Sequence, residues 1–263
     1  MAITNDHSFY TPESTLDDHS QVVVRKVGTA APIEWLQKGW NDFYAIPALS
    51  LLYGLMAVSG CYLVYLYSRE SLPLALGLFS GLLLIGPFVA TGLYVAARNL
   101  EAGYPATIFQ SIRSIARAGL RIGIIAMFLS IIMIAWLRVS SVLIALHYAA
   151  FQPDSLQIAL RTMDWNMLLV LGLYLLIGFV FAVVVFVTNA IALPMILDKD
   201  CDPITAIHGS IRAVNRNRKA MALWAGLITL AALASIATAF IGFAVLFPVL
   251  GYATWHSYRD LVE

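Results

Sequence analysis

Charged side chains are scarce in this chain. Only 12% of its 263 residues are Asp, Glu, Lys or Arg, whereas 60% are hydrophobic, and ordinary soluble domains carry roughly a quarter charged residues. A soluble fold could not cover so much apolar surface. Several charge-free stretches also reach the ~20 residues that a helix needs to cross ~30 Å of hydrocarbon. The sequence therefore predicts an integral membrane protein.

Cysteine is equally sparse, and the charges almost cancel. Cys61 lies in an apolar run and Cys201 in a polar loop, so we expect two free thiols. The net charge of +1 gives no reason to expect nucleic acid as a partner. Residues 1–31 are polar and lack the basic and apolar regions of a cleaved signal, which predicts a disordered cytoplasmic tail.

Apolar stretches of spanning length fill the rest of the chain. They cover residues 45–67, 72–97, 121–146, 165–197, 220–240 and 241–258, with a tight turn near Gly242 between the last two. We expect an all-α, polytopic bundle of about six transmembrane helices over residues 32–263. The lipid bilayer is then its first partner.

Basic residues set the expected orientation, because Lys and Arg near span ends stay on the cytoplasmic side. Of the basic residues assigned to a side of the membrane, only Arg69 and Arg161 fall on the non-cytoplasmic side. Thirteen fall on the other: Arg25, Lys26, Lys38, Arg98, Arg113, Arg117, Arg121, Lys199, Arg212, Arg216, Arg218, Lys219 and Arg259. Both termini are therefore predicted to be cytoplasmic.

An amphipathic segment that begins at a proline precedes spans one, three and five, at Pro32, Pro105 and Pro203. Two of these segments share a pattern at a spacing of 99 residues: Ser111, Arg113 and Arg117 match Ser210, Arg212 and Arg216. Closing spans match at a spacing of 161: Pro87, Arg98 and Leu100 match Pro248, Arg259 and Leu261.

These matches indicate three tandem units, covering about 32–97, 105–197 and 203–258. Each would be a cytoplasmic amphipathic helix followed by a transmembrane hairpin, and the four arginines would contact the inner leaflet. The alternative is that unrelated amphipathic helices beside basic loops give the same pattern.

Residues that could carry chemistry are few. No predicted span contains Asp or Glu, which counts against an ion-coupled pump. Arg138 would either neutralise an anionic substrate or extend to the outer interface beside Trp136. His208 and His256 share one level but lack a metal or haem motif, so we interpret them as interfacial or hydrogen-bonding residues. No catalytic, cofactor or metal site is predicted, and no enzymatic activity.

Small residues and helix-breaking residues mark the candidate packing and binding positions. Ser50-x-x-x-Gly54 and Gly77-x-x-x-Gly81 predict close helix packing, either inside the bundle or against a neighbouring subunit. Gly86-Pro87 and Phe247-Pro248 occupy corresponding places in two units, and Gly86, Pro87 and Pro248 are the candidates for a cavity formed at helix breaks. Ordinary kinks are the alternative.

One group of motifs resembles a known family. It comprises Trp35-Leu36, Gly39-Trp40, Asp42-Phe43, Pro47, Ser50-Leu51, Tyr53-Gly54, Gly86-Pro87-Phe88 and Gly92-Leu93-Tyr94. From about residue 32 to its end the chain resembles bacterial integral membrane proteins grouped as domain of unknown function 2189. The resemblance implies a bacterial inner-membrane protein and no established activity. Some members carry the label of cytochrome c oxidase components, which would fit here only as an accessory role.

Two functional hypotheses follow. The first is a non-enzymatic scaffold or accessory subunit of a larger bacterial inner-membrane complex. Such a subunit would bind another membrane protein or form a homo-oligomer. The second is a transporter or permease-like bundle for a small or lipidic molecule. A third, an enzyme acting on lipids, has no residues to support it. A central polar cavity would favour transport, and a solid bundle would favour the subunit.

Overall fold

The computed structural model describes residues 22–68, 72–148 and 165–263. These residues are almost entirely helical, which confirms the predicted all-α class. The helices are α1 (Ala31–Ala45), α2 (Pro47–Ser68), α3 (Leu72–Val89), α4 (Thr91–Glu101), α5 (Ile108–Arg117), α6 (Gly119–Tyr148), α7 (Trp165–Asn189), α8 (Ala192–Lys199), α9 (Pro203–Arg216), α10 (Arg218–Ala237) and α11 (Phe243–Leu261).

Four segments of the described chain are long and apolar enough to cross a membrane. They are Pro47–Ser68, Gly119–Leu143, Leu171–Lys199 and Arg218–Ala237. Helices α3 and α11 occupy the positions of two further predicted spans, and each contains an internal proline. The integral membrane class is thus supported, and the count of six stays a prediction.

Two predicted spans are each divided into a long and a short helix. The chain breaks at Ala90, between α3 and α4, and near Ile191, between α7 and α8. The short helices α4 and α8 are largely buried. Because apolar residues continue through both breaks, sequence alone merged each short helix with its predecessor.

The most densely buried part of the molecule lies where α4, α8 and the second half of α11 meet. The indole of Trp255 donates to Glu101 over 3.0 Å, and the hydroxyl of Tyr258 donates to Asp198 over 2.8 Å. Arg259 pairs with both carboxylates, at 3.2 and 3.6 Å. These five residues define what we call the polar end of the bundle.

Three amphipathic helices surround this end. Helix α1 packs on α11, α5 packs on α4, and α9 packs on α8 and the end of α7. Thr107 caps α5 through a reciprocal capping box with Gln110, and Asp202 caps α9, with Pro203 in its first turn. Each amphipathic helix therefore packs on a helix that ends one of the predicted apolar stretches: α4, α8 or α11.

The two ends of the described chain pair with each other. Val24 forms an antiparallel bridge with Val262, and the amide of Glu263 donates to Val23 O over 3.1 Å. We call this pairing the terminal clasp. Of the tail predicted to be disordered, residues 1–21 lie outside the described residues, whereas residues from 22 onward show more order than predicted.

Candidate functional site

A cavity of about 510 Å³ lies beside α6, α7 and α10, and none of the five residues of the polar end lines it. Its walls are Trp136 from α6, Phe179 from α7 and Ile228 from α10. Pro87 and Thr254 contribute from α3 and α11. This volume is within the roughly 300–1,000 Å³ of small-molecule pockets.

The cavity exists because two neighbouring helices do not close on each other. Elsewhere the seams are tight: a Cβ added at Gly54 of α2 would lie 1.9 Å from Ala244 O of α11, and one at Gly81 of α3 would lie 3.0 Å from the Met133 methyl of α6. Across the described residues, α7 and α10 do not pack extensively on one another. Phe179, which lines the gap, remains 66% exposed. The cavity is therefore open sideways, toward the surface that hydrocarbon would cover.

Trp136 forms one end of the cavity. Its ring packs against Tyr174 and Phe181 of α7, with centroid distances of 5.0 and 5.6 Å. A Cβ at Gly178 would lie only 3.1 Å from the ring, so the absence of a side chain at this position makes room for the indole. Trp136 is 8% exposed, and its Nε1 has no hydrogen-bond partner among the described residues. This buried donor is left unsatisfied and is closed off from the cavity.

Asn189 forms the other end of the cavity, at the last residue of α7. Its amide nitrogen is already engaged with Val185 O at 3.3 Å and with the hydroxyl of Thr188 at 2.8 Å. Asn189 is also 8% exposed, and its Oδ1 has no partner within the described chain. A buried acceptor therefore remains free.

Uncharged side chains line the cavity. They include Tyr94, Trp224 and Thr254, the last donating to Leu250 O over 2.7 Å. Of the described residues that line the cavity, none is Asp, Glu, Lys, Arg or His. The cavity is mainly apolar, with isolated hydrogen-bonding atoms, the usual character of a ligand pocket.

The predicted cavity residues fall in different places. Pro87 lines the cavity and precedes the break at Ala90, and a Cβ at Gly86 would lie 4.0 Å from the Phe247 ring. Pro248 is buried in α11, which continues through it without a break, and it does not line the cavity. Arg138 is exposed on α6, outside the lining.

The predicted packing residues lie at helix contacts. Ser50 is fully buried, and its Oγ lies 2.9 Å from the hydroxyl of Tyr252. Gly54 and Gly81 make the close approaches described above, within the chain. Gly77 belongs to α3, but its surroundings lie outside what the structure describes.

Arginines at the predicted inner-leaflet positions are exposed on α5 and α9. They are Arg113, Arg117, Arg212 and Arg216. On α5, the neighbouring Phe109 and Ile112 are 70% and 58% exposed. Basic and apolar groups therefore share an open face, as expected of a helix at a membrane surface.

The two histidines do not meet. The Nε2 of His256 lies 2.8 Å from the carboxylate of Asp42, joining α11 to α1, and His208 is exposed on α9. Within the described ranges there is no group of three His, Cys, Asp or Glu side chains able to hold a metal.

Sequence reasoning missed Trp136 and Asn189 as cavity residues. Both lie in apolar stretches, where charged side chains drew attention first. Asn189 carried a usable signal, because an amide near the end of an otherwise apolar helix needs a partner. Trp136 carried none, since aromatic residues are also common at membrane interfaces.

Comparison with known proteins gives a family and nothing finer. No curated protein and no solved structure matches the chain. Residues 74–198 match the family described as predicted integral membrane protein (DUF2189), which confirms the resemblance to that family over this range.

Proposed function

We propose that this protein binds a small lipidic molecule in the lateral cavity, as a transporter or permease-like bundle would in its first step. The observation that carries the proposal is a mainly apolar cavity of about 510 Å³ that opens sideways between α7 and α10. Its size and its apolar lining are those of a pocket for a small molecule.

The route into the cavity is from the bilayer. Phe179 and Thr229 stand on either side of the gap between α7 and α10, and both are exposed. In a membrane this surface faces acyl chains, so a lipidic molecule could enter without crossing water. An ionic solute would have no such path.

We also propose the layout of three tandem units, supported by three contacts at corresponding positions, which differ in their chemistry. Ser111 of α5 donates to Gly92 O over 3.1 Å. Its counterpart Ser210 of α9 accepts from Ile191 N at 3.4 Å, and Ile191 follows Gly92 at the same spacing of 99 residues. In α1 the place is taken by Gly39, where a Cβ would lie 3.0 Å from Ala253 N.

This layout would explain where the cavity lies. In it, the seams between units are α11 with α2, α3 with α6, and α7 with α10. The first two are closed by small residues, such as Gly54 and Gly81. The third stays open around the cavity, so the departure from threefold repetition would itself create the binding site.

The orientation we propose has the polar end and both termini in the cytoplasm of a bacterium, with the spans in its inner membrane. Support comes from the basic residues: Arg25, Arg121 and Arg259 all pair with carboxylates at the end where the termini meet. Arg69 and Arg161, the two assigned to the opposite side, lie outside the described residues.

The hypothesis of an accessory subunit stays a prediction. Stoichiometric co-purification of a membrane complex from mild detergent, with loss of its assembly when this chain is absent, would support it. Binding of a lipid by the isolated protein would not depend on such a complex, so the two readings can be separated.

The test of the binding proposal is to fill the cavity. Ala225 lines it from α10, whereas Ala234 lies on the same helix outside the lining. We expect Ala225→Phe to lose a lipid that co-purifies at fixed ratio with the wild type, as measured by mass spectrometry of the extracted lipids. Ala234→Phe should retain it. Equal lipid content in the wild type and Ala225→Phe would contradict the proposal.

A further inference from the structure

We infer that helix α5 binds an anionic phospholipid, and that this lipid stabilises the docking of α5 on α4. Arg113 and Arg117 bind the phosphate of the lipid, and its acyl chains cover Phe109 and Ile112. The lateral cavity plays no part, because no described residue of α5 lines it. Helices α1 and α9, the other two amphipathic helices, do not depend on lipid in this way.

Helix α5 is the least covered of the three amphipathic helices. Helices α1 and α9 each bury five residues, among them Trp35 in α1 and Ser210 in α9. Helix α5 buries only Ser111. With 10 residues it is also shorter than the ~12–15 residues at which an isolated helix becomes even marginally stable in water. Helix α5 therefore needs a partner besides α4.

The contact between α5 and α4 is largely polar. Three side-chain hydrogen bonds join the two helices: Ser111 to Gly92 O at 3.1 Å, Arg98 to the hydroxyl of Ser114 at 3.3 Å, and Asn99 to the side-chain oxygen of Gln110 at 3.1 Å. Of the apolar side chains, Ile115 packs against the core and is half-buried. The side of α5 that faces the protein is thus mostly hydrophilic.

The opposite side of α5 is apolar. Ile108, Phe109 and Ile112 are all exposed. An amphipathic helix on a water-soluble protein buries its apolar side against the core and turns its polar side outward. Helix α5 has the reverse arrangement, which is stable only where hydrocarbon covers the outer side.

The position of α5 in the chain places this apolar side at a membrane. Helix α5 ends at Arg117, and an apolar segment long enough to cross a membrane begins at Gly119. A step of two residues extends at most about 7 Å. Interfacial helices insert their apolar side ~5–10 Å into the boundary between head groups and acyl chains. The occupant of the open face is therefore a lipid rather than a soluble protein.

The charge of α5 selects an anionic lipid. The helix contains two arginines and no Asp or Glu. Phe109, Arg113 and Arg117 follow one another at steps of four residues, so they form one row along the helix. Within the described chain, no carboxylate lies at ion-pair distance from either arginine. A guanidinium group binds phosphate through paired hydrogen bonds, and its apolar stem can lie along the acyl region.

The test compares two lipid compositions. The full-length protein is placed in nanodiscs of phosphatidylcholine alone, or of phosphatidylcholine mixed with an equal amount of phosphatidylglycerol. Amide hydrogen exchange, followed by mass spectrometry, measures how often α5 and α9 open. The double variant Arg113→Gln/Arg117→Gln removes the charges of α5. Its matched control is Arg212→Gln/Arg216→Gln, at the corresponding positions of α9.

For the wild type we expect α5 to exchange about tenfold more slowly when phosphatidylglycerol is present, because each arginine near the surface attracts the anionic lipid. Exchange in α9 should change little, since its buried face already holds it. Arg113→Gln/Arg117→Gln should lose the response of α5, and Arg212→Gln/Arg216→Gln should keep it. Unchanged exchange in α6 shows that each variant is folded.

A second pair of variants tests the apolar contact. Phe109→Asn should speed the exchange of α5 in both kinds of nanodisc, because it removes the group that enters the acyl region. Ile204→Asn, at an exposed residue of α9, should leave the exchange of α9 unchanged.

Three outcomes would overturn the inference. The first is equal exchange of wild-type α5 in the two lipid mixtures. The second is the same response to phosphatidylglycerol in Arg113→Gln/Arg117→Gln as in the wild type, which would assign the response to other groups. The third is slower exchange of α5 with soluble polyglutamate but not with phosphatidylglycerol, which would make the partner an acidic protein.

Discussion

At the scale of single residues, the missing side chain of Gly54 decides how closely α2 approaches α11. A Cβ there would lie 1.9 Å from the backbone oxygen of Ala244, far inside any permitted contact. The adjacent turn of α2 places Ser50 against Tyr252, so a hydrogen bond and a backbone contact hold the same seam. In hydrocarbon such seams depend on close packing, because lipid tails are as apolar as the side chains they would replace.

We therefore expect Gly54→Ala to destabilise the protein, since one of the two helices must move outward. Gly226→Ala, in α10, is the matched control, because a Cβ there meets nothing within 4 Å. Its effect should be neutral, or stabilising by up to about 1 kcal/mol from helix propensity. Thermal unfolding of both variants in detergent measures the difference. Equal melting temperatures would show that the seam tolerates the methyl group.

At the scale of helices, the amphipathic helices are fixed by how they begin and by what their buried face meets. Helix α1 buries Trp35 completely, edge-on to Trp224 at 5.7 Å, and the Trp35 indole donates to Asp260 over 2.7 Å. Trp40, on the same helix, is 38% exposed and stacks on Tyr44. Helix α1 thus carries one buried and one exposed tryptophan.

Replacing each tryptophan in turn should distinguish the contribution of the buried face of α1 from that of its exposed face. We expect Trp35→Ala to lower the free energy of unfolding by about 3–5 kcal/mol, through the cavity that it leaves. It also removes a donor from the carboxylate of Asp260. Trp40→Ala should cost far less. Unfolding by a denaturing detergent measures both, and an equal loss would mean that α1 is not held by its buried face.

The capping residue of α9 gives the protein a dependence on pH. The hydroxyl and amide of Thr205 donate to the carboxylate of Asp202, which lowers the pKa of Asp202 below its ordinary value. Because the pKa is lowered in the folded state, the cap stabilises fully above the ordinary pKa of about 3.9. The contribution disappears as the pH falls through the lowered folded value.

Asp202→Ala should therefore cost about 1 kcal/mol at neutral pH, and its melting temperature should approach that of the wild type only at acidic pH. Thr107→Ala is the control: Thr107 caps α5 in the same geometry but does not titrate. Its deficit should stay constant with pH. A constant deficit for Asp202→Ala as well would exclude the carboxylate as the titrating group.

At the scale of the whole molecule, the two ends of the described chain hold each other. Beyond the bridge between Val24 and Val262, the amide of Asn217 donates to Arg25 O over 2.9 Å, and its oxygen accepts from Val27 N over 2.9 Å. Asn217 separates α9 from α10, so the clasp joins the first described residues to the last helices. In the proposed layout it ties the first unit to the third.

Two truncations test this clasp. Removal of residues 2–21 leaves Val24 and Arg25 in place, and removal of residues 2–29 takes the paired segment away. We expect the second truncation to melt at a lower temperature than the first, and Asn217→Ala to reproduce part of that loss. The quantity to measure is the difference in melting temperature between the two truncations. Identical melting temperatures would show that the pairing contributes nothing to stability.

Much of the architecture could be predicted because hydrophobicity and charge alone decide it. The helical class, the apolar spans and the turn near Gly242 all follow from the lengths of charge-free stretches. The division of two spans at Ala90 and Ile191 could not be predicted, because apolar residues continue through both breaks. What distinguishes them is a partner: Ser111 and Ser210 reach those backbones from other helices.

The candidate site, too, could be predicted only in part from the sequence. Pro87 was identified from sequence because proline disturbs a helix wherever it lies, and it does line the cavity. Pro248, chosen on the same ground, lies in a continuous helix elsewhere. Trp136 and Asn189 line the cavity because the seam between α7 and α10 is not closed. The sequence by itself determined that this chain enters a membrane as helices, because burial of its apolar residues demands it. Only the tertiary structure decided which seam stays open, because that depends on how closely pairs of helices distant in the chain can pack.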